Sequence, residues 1–411
     1  MKSAGQWLVV ALALMLAHVH AAAATRPLIS AAGKSALSRY LSAAVDRGDV
    51  PGVVTLVVDR EGVLYEGAAG KLDVARRVDM PATAVFRIAS MVKPITSVAV
   101  MMLVEAGKLG LDDPVSKYLP EFENRQVIST FNAAEGTYES RPAKRAITIR
   151  HLMAHTSGIG YAMSNPIVAG LLQGTRKSET ELPLLHDPGD KWTYGAGTRI
   201  LGQVVEQISS QPLDVFLRKR IFEPLKMADT SYAVPPEKLP RLVTVHRRMG
   251  GKLVEQPNTP TQQAPVRGDG GLYSTARDYG TYLQMLLNHG RLHTAKLLGR
   301  KSVRMMGENQ IGTIVVEEQP AAAPGVTRPF PLGAGRDKFG LGFQIAARDK
   351  RYAKLRSPGS LSWAGIANTH FWIDPSRDLA VVVLMQVLPF YDDACIRVLR
   401  GFEELVYRHL S

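Results

Sequence analysis

Phe86-Arg-Ile-Ala-Ser90-Met-Val-Lys93-Pro94 is the stretch from which the rest of this chain can be read. A strand-like run meets an apolar helix at Ser90, and Val92, Ile95, Val98, Ala99, Met102 and Leu103 then recur at helical spacing up to about Gly107. Pro94 fits only near a helix start, because deeper inside its ring and missing N–H would break the preceding turn. A serine and a lysine three residues apart share one helix face, so the amine can reach the hydroxyl. At a helix N-terminus that hydroxyl lies among backbone N–H groups with no partner inside the helix. This is the minimal set of groups for an activated serine nucleophile. The spacing alone also describes a capping serine beside a solvated lysine, so the rest of the chain has to decide.

Upstream, Met1 to Ala24 reads as an export leader, with Lys2 as its charged start, Trp7 to Ala17 as its apolar core and Ala21 to Ala24 as a small-residue cleavage site. No later stretch is apolar for long enough to span a bilayer, so no transmembrane anchor is expected after cleavage. The expected location is outside the cytoplasm, most simply a bacterial periplasm. Cys395 is the only cysteine, which excludes an intramolecular disulfide despite that oxidising destination. With 411 residues, 45% of them hydrophobic, the chain can support one or two packed units on its core alone. It is basic, with 50 Lys and Arg against 37 Asp and Glu. Those charges are scattered and few aromatics interleave with them, which argues against nucleic acid as a partner.

Leu37, Leu41, Ala44 and Val45 describe an amphipathic helix, and Gly52 to Val58 with Val63 to Ala68 a hairpin around Asp59-Arg-Glu-Gly62. From about residue 105 to 265 the texture turns helical, as at Ile200, Leu201, Val204, Val205 and Ile208. Strands are expected again only at Phe339 to Ala346, Leu361 to Ile366, His370 to Ile373 and Leu379 to Met385, before a last helix carrying Ile396, Leu399, Phe402 and Val406. Strands at both ends with helices between them imply one sheet built by both termini. The expected units are a sheet unit of about residues 25–104 plus 266–411 and a helical insert of about 105–265, with a ligand cleft at their junction. The segment Pro320 to Pro331 reads as an exposed loop, and the loops 121–145 and 311–336 are expected to shape the pocket.

Taken together, Phe86 to Lys93, His155-Thr-Ser-Gly158, Pro188-Gly-Asp-Lys-Trp-Thr-Tyr194, Gly270-Gly-Leu-Tyr-Ser-Thr-Ala-Arg-Asp278, Phe339-Gly-Leu-Gly-Phe343 and Trp363-Ala-Gly365 resemble the serine β-lactamase-related hydrolases. That superfamily includes class C β-lactamases, D-alanyl-D-alanine carboxypeptidases and family VIII carboxylesterases. The resemblance spans nearly the whole chain after the leader. It implies an α/β (α+β) fold, an antiparallel sheet flanked by helices with an inserted, mostly helical subdomain. By the same resemblance Ser90 is the nucleophile, Lys93 its helical partner and Tyr194 the tyrosine of a Tyr-x-Asn motif. Trp363-Ala364-Gly365 stands where many lactamases have Lys-Thr-Gly, and the backbone N–H groups of Ser90 and Ile366 form the oxyanion hole.

Two departures bear on substrate. Ala196 stands at the asparagine position of Tyr-x-Asn and Trp363 at the lysine position of Lys-Thr-Gly. Both missing groups serve amide and carboxylate recognition in lactamases, so β-lactams and peptides ending in D-alanine are disfavoured. The tryptophan resembles family VIII esterases and their nylon-oligomer and transesterase relatives. The expectation is therefore a small-molecule carboxylic ester, opened through an acyl-enzyme on Ser90. An amidase or D-amino-acid peptidase is the enzymatic alternative, and a catalytically silent ligand-binding protein the non-enzymatic one. A phenol takes a proton only as phenolate, and its ordinary value near 10 makes a nearby cation necessary, so loss of the second lysine predicts activity rising toward alkaline pH. Lys191, three residues before Tyr194, reads as a solvated loop residue. His151 and His155 have a spacing seen in zinc sites, but the His-Glu-x-x-His glutamate is missing and no third ligand is evident. No metal and no cofactor is expected, and no Gly-x-Ser-x-Gly supports an α/β-hydrolase.

Overall fold

The computed structural model describes residues 26–257, 266–349 and 354–411. The expected leader lies outside the described residues. One antiparallel sheet of eight strands among the described residues organises the chain. From one edge to the other it runs Lys338–Phe339, Gln344–Ile345, Leu361–Gly365, Thr369–Asp374, Leu379–Leu384, Gly52–Val58, Val63–Asp73 and Val78–Asp79. The two ends of the chain meet in its middle, where Val54 pairs with Leu384 and Val58 with Ala380. All seven residues of Gly52–Val58 are buried, which is why this strand reads as an apolar run broken only by Thr55 instead of an alternating one.

Its alternate residues serve two cores. Val53 and Val57 point to the layer formed by the helices Ala31–Asp46 and Asp393–His409, where Leu37, Leu41, Phe402 and Val406 pack. Val54, Leu56 and Val58 point the other way, to the helices Val92–Glu105 and Ala276–Leu287 and through them to the inserted region. The helix Gly197–Ser209 packs on Val92–Glu105 from that region.

Three expectations change. The middle of the chain contains two hairpins besides its helices. Gln126–Asn132 pairs with Thr137–Pro142, and His246–Met249 with Lys252–Glu255. The second turns on Gly250 and Gly251, both at positive φ (55° and 81°), a two-glycine turn signal that the sequence displays openly. Phe339 to Ala346 is not one strand. Gly342, at φ 99°, reverses the chain against Ser97, where a Cβ would lie 2.5 Å from the hydroxyl, so two short strands pair instead. Finally, Pro320 to Pro331 is exposed only in part, at Pro320, Pro324, Gly325, Arg328 and Pro329. Ala323 N–H donates to Met163 O at 3.0 Å, Arg328 N–H to Phe390 O at 2.8 Å and Phe390 N–H to Val326 O at 2.8 Å. These bonds tie the loop to Met163 on one side and to Phe390 on the other, and Phe330 is buried.

Candidate active site

Ser90 sits in the short turn Ala89–Met91, one step ahead of the helix Val92–Glu105. Ala89 holds a left-handed φ of 44°, a costly conformation for a residue with a Cβ, directly before the serine. The turn is held from several sides. Ile88 N–H donates to Leu272 O at 3.1 Å, and the buried Tyr279 hydroxyl donates to Met91 O at 2.9 Å. On the sheet side Gly365 lies against it. A Cβ there would meet Ile88 O at 2.3 Å and Thr369 Oγ1 at 2.3 Å, so the last residue of the strand Leu361–Gly365 has to be glycine. Gly365→Ala is accordingly expected to lower stability by about 1–3 kcal/mol through overpacking and to slow reaction at Ser90, because the turn must move. A melting curve and the rate of Ser90 labelling by a fluorophosphonate read the two effects, and an unchanged rate would separate Gly365 from the placing of the serine.

Lys93 is 2% exposed, and its Nζ donates to Ser90 Oγ at 2.9 Å and to the backbone carbonyl of Asp269 at 2.9 Å. The same nitrogen lies 5.0 Å from the centre of the Tyr194 ring and 5.2 Å from that of Tyr161, favourable positions for a cation over an aromatic face. The spacing argument for Ser90 and Lys93 thus describes a contact that the fold makes.

Sequence reasoning did not find what surrounds the lysine. The Asp269 carboxylate is buried, and its Oδ2 accepts from Tyr161 Oη at 2.6 Å and from Arg199 at 3.1 Å. Burial alone would raise this carboxyl, but the Lys93 and Arg199 cations and the Tyr161 bond outweigh it and hold it below its ordinary value. Tyr161 is pushed well above the ordinary phenol range by burial and then by Asp269, so it serves as a neutral donor. The available signal was the glycine-flanked Asp269. A Cβ on Gly268 would stand 2.3 Å from Thr198 O, and Thr96 Oγ1 donates to Gly268 O at 2.8 Å. That close approach delivers the Asp269 carbonyl to Lys93.

Tyr194 enters the site from the inserted region, with its N–H donating to Gln319 Oε1 at 3.1 Å. Its ring packs at centroid distances of 4.9 Å from His155, 5.0 Å from Trp363 and 5.6 Å from Phe330. His155 stays neutral, since burial and then Lys93 push it down to about 3. Ala196 is fully buried at the start of its helix and brings no side-chain amide. Lys191 is exposed. His151 caps its own short helix, its Nδ1 accepting from Thr148 N–H at 3.2 Å.

Ser90, Tyr194, Trp363 and Ile366 line one pocket together with Met163, Phe330 and Leu332. Gly365 does not line it and acts by making room behind the serine. Of the two loops expected to shape the pocket, 311–336 does so, whereas no lining residue comes from 121–145. Trp363 is 7% exposed, and its Nε1 has no hydrogen-bond partner among the described residues. The site therefore holds a neutral, buried indole where the resembling lactamases carry a cation.

A family model described as Beta-lactamase matches residues 37–403. The chain belongs to the beta-lactamase family. Among relatives, it is similar to the monacolin J acid methylbutanoyltransferase of Aspergillus terreus, with 29% identity covering 95% of this chain and 98% of the relative. It is also similar to the lovastatin esterase of Penicillium rubens, at 29% identity over 90% of this chain and 97% of that one. Among solved structures, a variant of the simvastatin synthase of Aspergillus terreus superposes with a TM-score of 0.78 at 27% identity, covering 92% and 95% of the two chains. The chain is thus an enzyme of this family of serine hydrolases and acyltransferases.

Proposed function

We propose that this protein is an exported carboxylic ester hydrolase that works through an acyl-enzyme on Ser90. The observation that carries the reading is the neutral Trp363 indole beside Tyr194, its N–H unpartnered, in the pocket that Ser90 opens into. A carboxylate-bearing β-lactam or peptide needs a cation at that place, whereas an uncharged ester needs none.

In the proposed reaction Ser90 Oγ attacks the ester carbonyl while its proton passes to the Lys93 and Tyr194 pair. The carbonyl oxygen becomes an oxyanion facing the N–H groups of Ser90 and Ile366. Collapse of this intermediate expels the alcohol, which receives the proton. Water then repeats the sequence in reverse and releases the acid. An alcohol in place of water would complete acyl transfer, and the transferase among the relatives supports that second outcome from the same acyl-enzyme. Export rests on the reading of Met1 to Ala24.

The test is hydrolysis of p-nitrophenyl butyrate by the protein before and after treatment with a fluorophosphonate, with the labelled residue located by mass spectrometry. Turnover that stops in step with labelling of Ser90 is expected. Turnover that continues in labelled protein would overturn the assignment, and absence of both would move the weight to a silent binding protein.

A further inference from the structure

The pocket that opens at Ser90 does not end at Trp363. It passes the C-terminal end of the strand Leu361–Gly365, at Ala364 and Ile366, and continues to Arg356, His370, Phe390, Tyr391 and Glu403. His370 is only 4% exposed, and its Nε2 has no hydrogen-bond partner among the described residues. Its ring lies near parallel to Phe390 at 6.1 Å and 6.0 Å from Tyr391. The surroundings would suit a phenylalanine. Tyr391 is the second unfinished group, since its oxygen accepts from Leu332 N–H at 3.0 Å while its own proton has no acceptor among the described residues.

The charged groups at this end are engaged, Arg400 among them. Arg356 donates to both Glu403 oxygens at 2.7 and 3.0 Å, and Arg336 to Asp337 at 3.1 Å. Burial and then Arg356 push His370 down to about 3, and burial pushes Tyr391 up to about 12, so both are neutral in use. What remains without a partner among the residues lining this end is an imidazole nitrogen and a phenol proton between aromatic and aliphatic walls. Such an end matches an uncharged oxygen, which can accept from one group and donate to or accept from the other.

Its distance from the reaction follows from strand geometry. His370 pairs directly with Ala364, two residues before Ile366. Two residues along a strand and one step across the sheet place its Cα about 8 Å from that of Ile366, and its ring, on the face opposite Trp363, lies somewhat farther.

We propose that this end is a subsite for a hydroxyl or keto group carried on one arm of the ester, on the order of 10 Å from the carbonyl that Ser90 attacks. The assignment rests on the proposed Ser90 chemistry, and its test keeps the two apart. Ser90 is labelled with p-nitrophenyl phosphonates, its Oγ bonding to phosphorus as p-nitrophenolate leaves with the bonding electrons and the serine proton passes to the site's base. Each probe carries an octyl chain, plain or with a hydroxyl on its last carbon. The chain is attached through carbon in one series, mimicking the acyl arm, and through oxygen in the other, mimicking the alcohol arm.

In one series the hydroxylated probe is expected to label roughly five- to tenfold faster than the plain one. His370→Phe is expected to erase that preference, keep the rate with the plain probe and raise Tm, because it removes a buried atom without a partner. Should that variant not fold, Tyr391→Phe carries the same comparison. Equal rates in both series, or a preference that survives the substitution, would overturn the subsite and leave the Ser90 reading standing. A fall in Tm together with slower labelling by the plain probe would mark His370 as structural and also overturn it. No labelling by any probe would remove the serine nucleophile and the subsite with it.

Discussion

Lys93→Met is expected to lower kcat/KM for p-nitrophenyl butyrate by about a thousandfold or more, close to the floor set by Ser90→Ala in the same assay. Methionine keeps most of the lysine's apolar stem, so the Val92–Glu105 helix retains its packing while the group 2.9 Å from Ser90 Oγ disappears. The loss has a second signature in stability. Asp269 is held below its ordinary value with Lys93 as the leading lowering cause and Arg199 next, against its burial. A carboxyl lowered in the folded state stabilises fully above its unfolded value of about 3.9 and loses that contribution as pH falls through the folded value. Without Lys93 the folded value rises, so the variant is expected to unfold at a higher pH during acid titration than the parent does. An unchanged acid midpoint would show that Arg199 and Tyr161 balance Asp269 unaided. Retention of more than a tenth of the activity would take Lys93 out of the proton path.

What the sequence revealed of this site and what it concealed divide along physical lines. Ser90 and Lys93 were legible because helical periodicity fixes which side chains share a face, and the sheet because Leu379–Leu384 is apolar throughout and Gly52–Val58 is so but for Thr55. Tyr194, Trp363 and Ile366 are far from Ser90 along the chain, and only the resemblance gathered them. The network of Asp269, Tyr161 and Arg199 stayed hidden because a buried carboxylate leaves no periodic trace. Its members are 108 and 70 residues apart along the chain. The loop before Phe330 misled for a different reason. Its alanines, prolines and glycines are those of a solvent loop, yet it is held by backbone hydrogen bonds that composition does not record. His370 was read only as part of a strand, which it is. That it also lines the pocket beside Phe390 and Tyr391 depends on residues that arrive from beyond the next strand.

Tyr194→Phe separates chemistry from packing more sharply than any other substitution here. The ring's contacts with His155, Tyr161, Trp363 and Phe330 belong to its faces and edges and survive in phenylalanine. Melting should therefore change little while turnover falls on the order of a hundredfold or more. The pH profile carries the rest of the argument. A phenol must be ionised to accept a proton, and the cations that could favour this are few. Trp363 replaces one with a neutral indole, and Lys191 is exposed in its loop. His155, though 4.9 Å from the ring, is held neutral by burial and by Lys93, which push it to about 3. Lys93 is the cation seated over the ring, at 5.0 Å. With one cation instead of two, activity is expected to climb toward alkaline pH in the parent protein, and that climb should vanish with the hydroxyl in Tyr194→Phe. A parent rate already flat from pH 6 upward would mean that Lys93 alone suffices. Near-normal turnover in the variant would leave the proton to Lys93 and make Tyr194 a wall of the pocket.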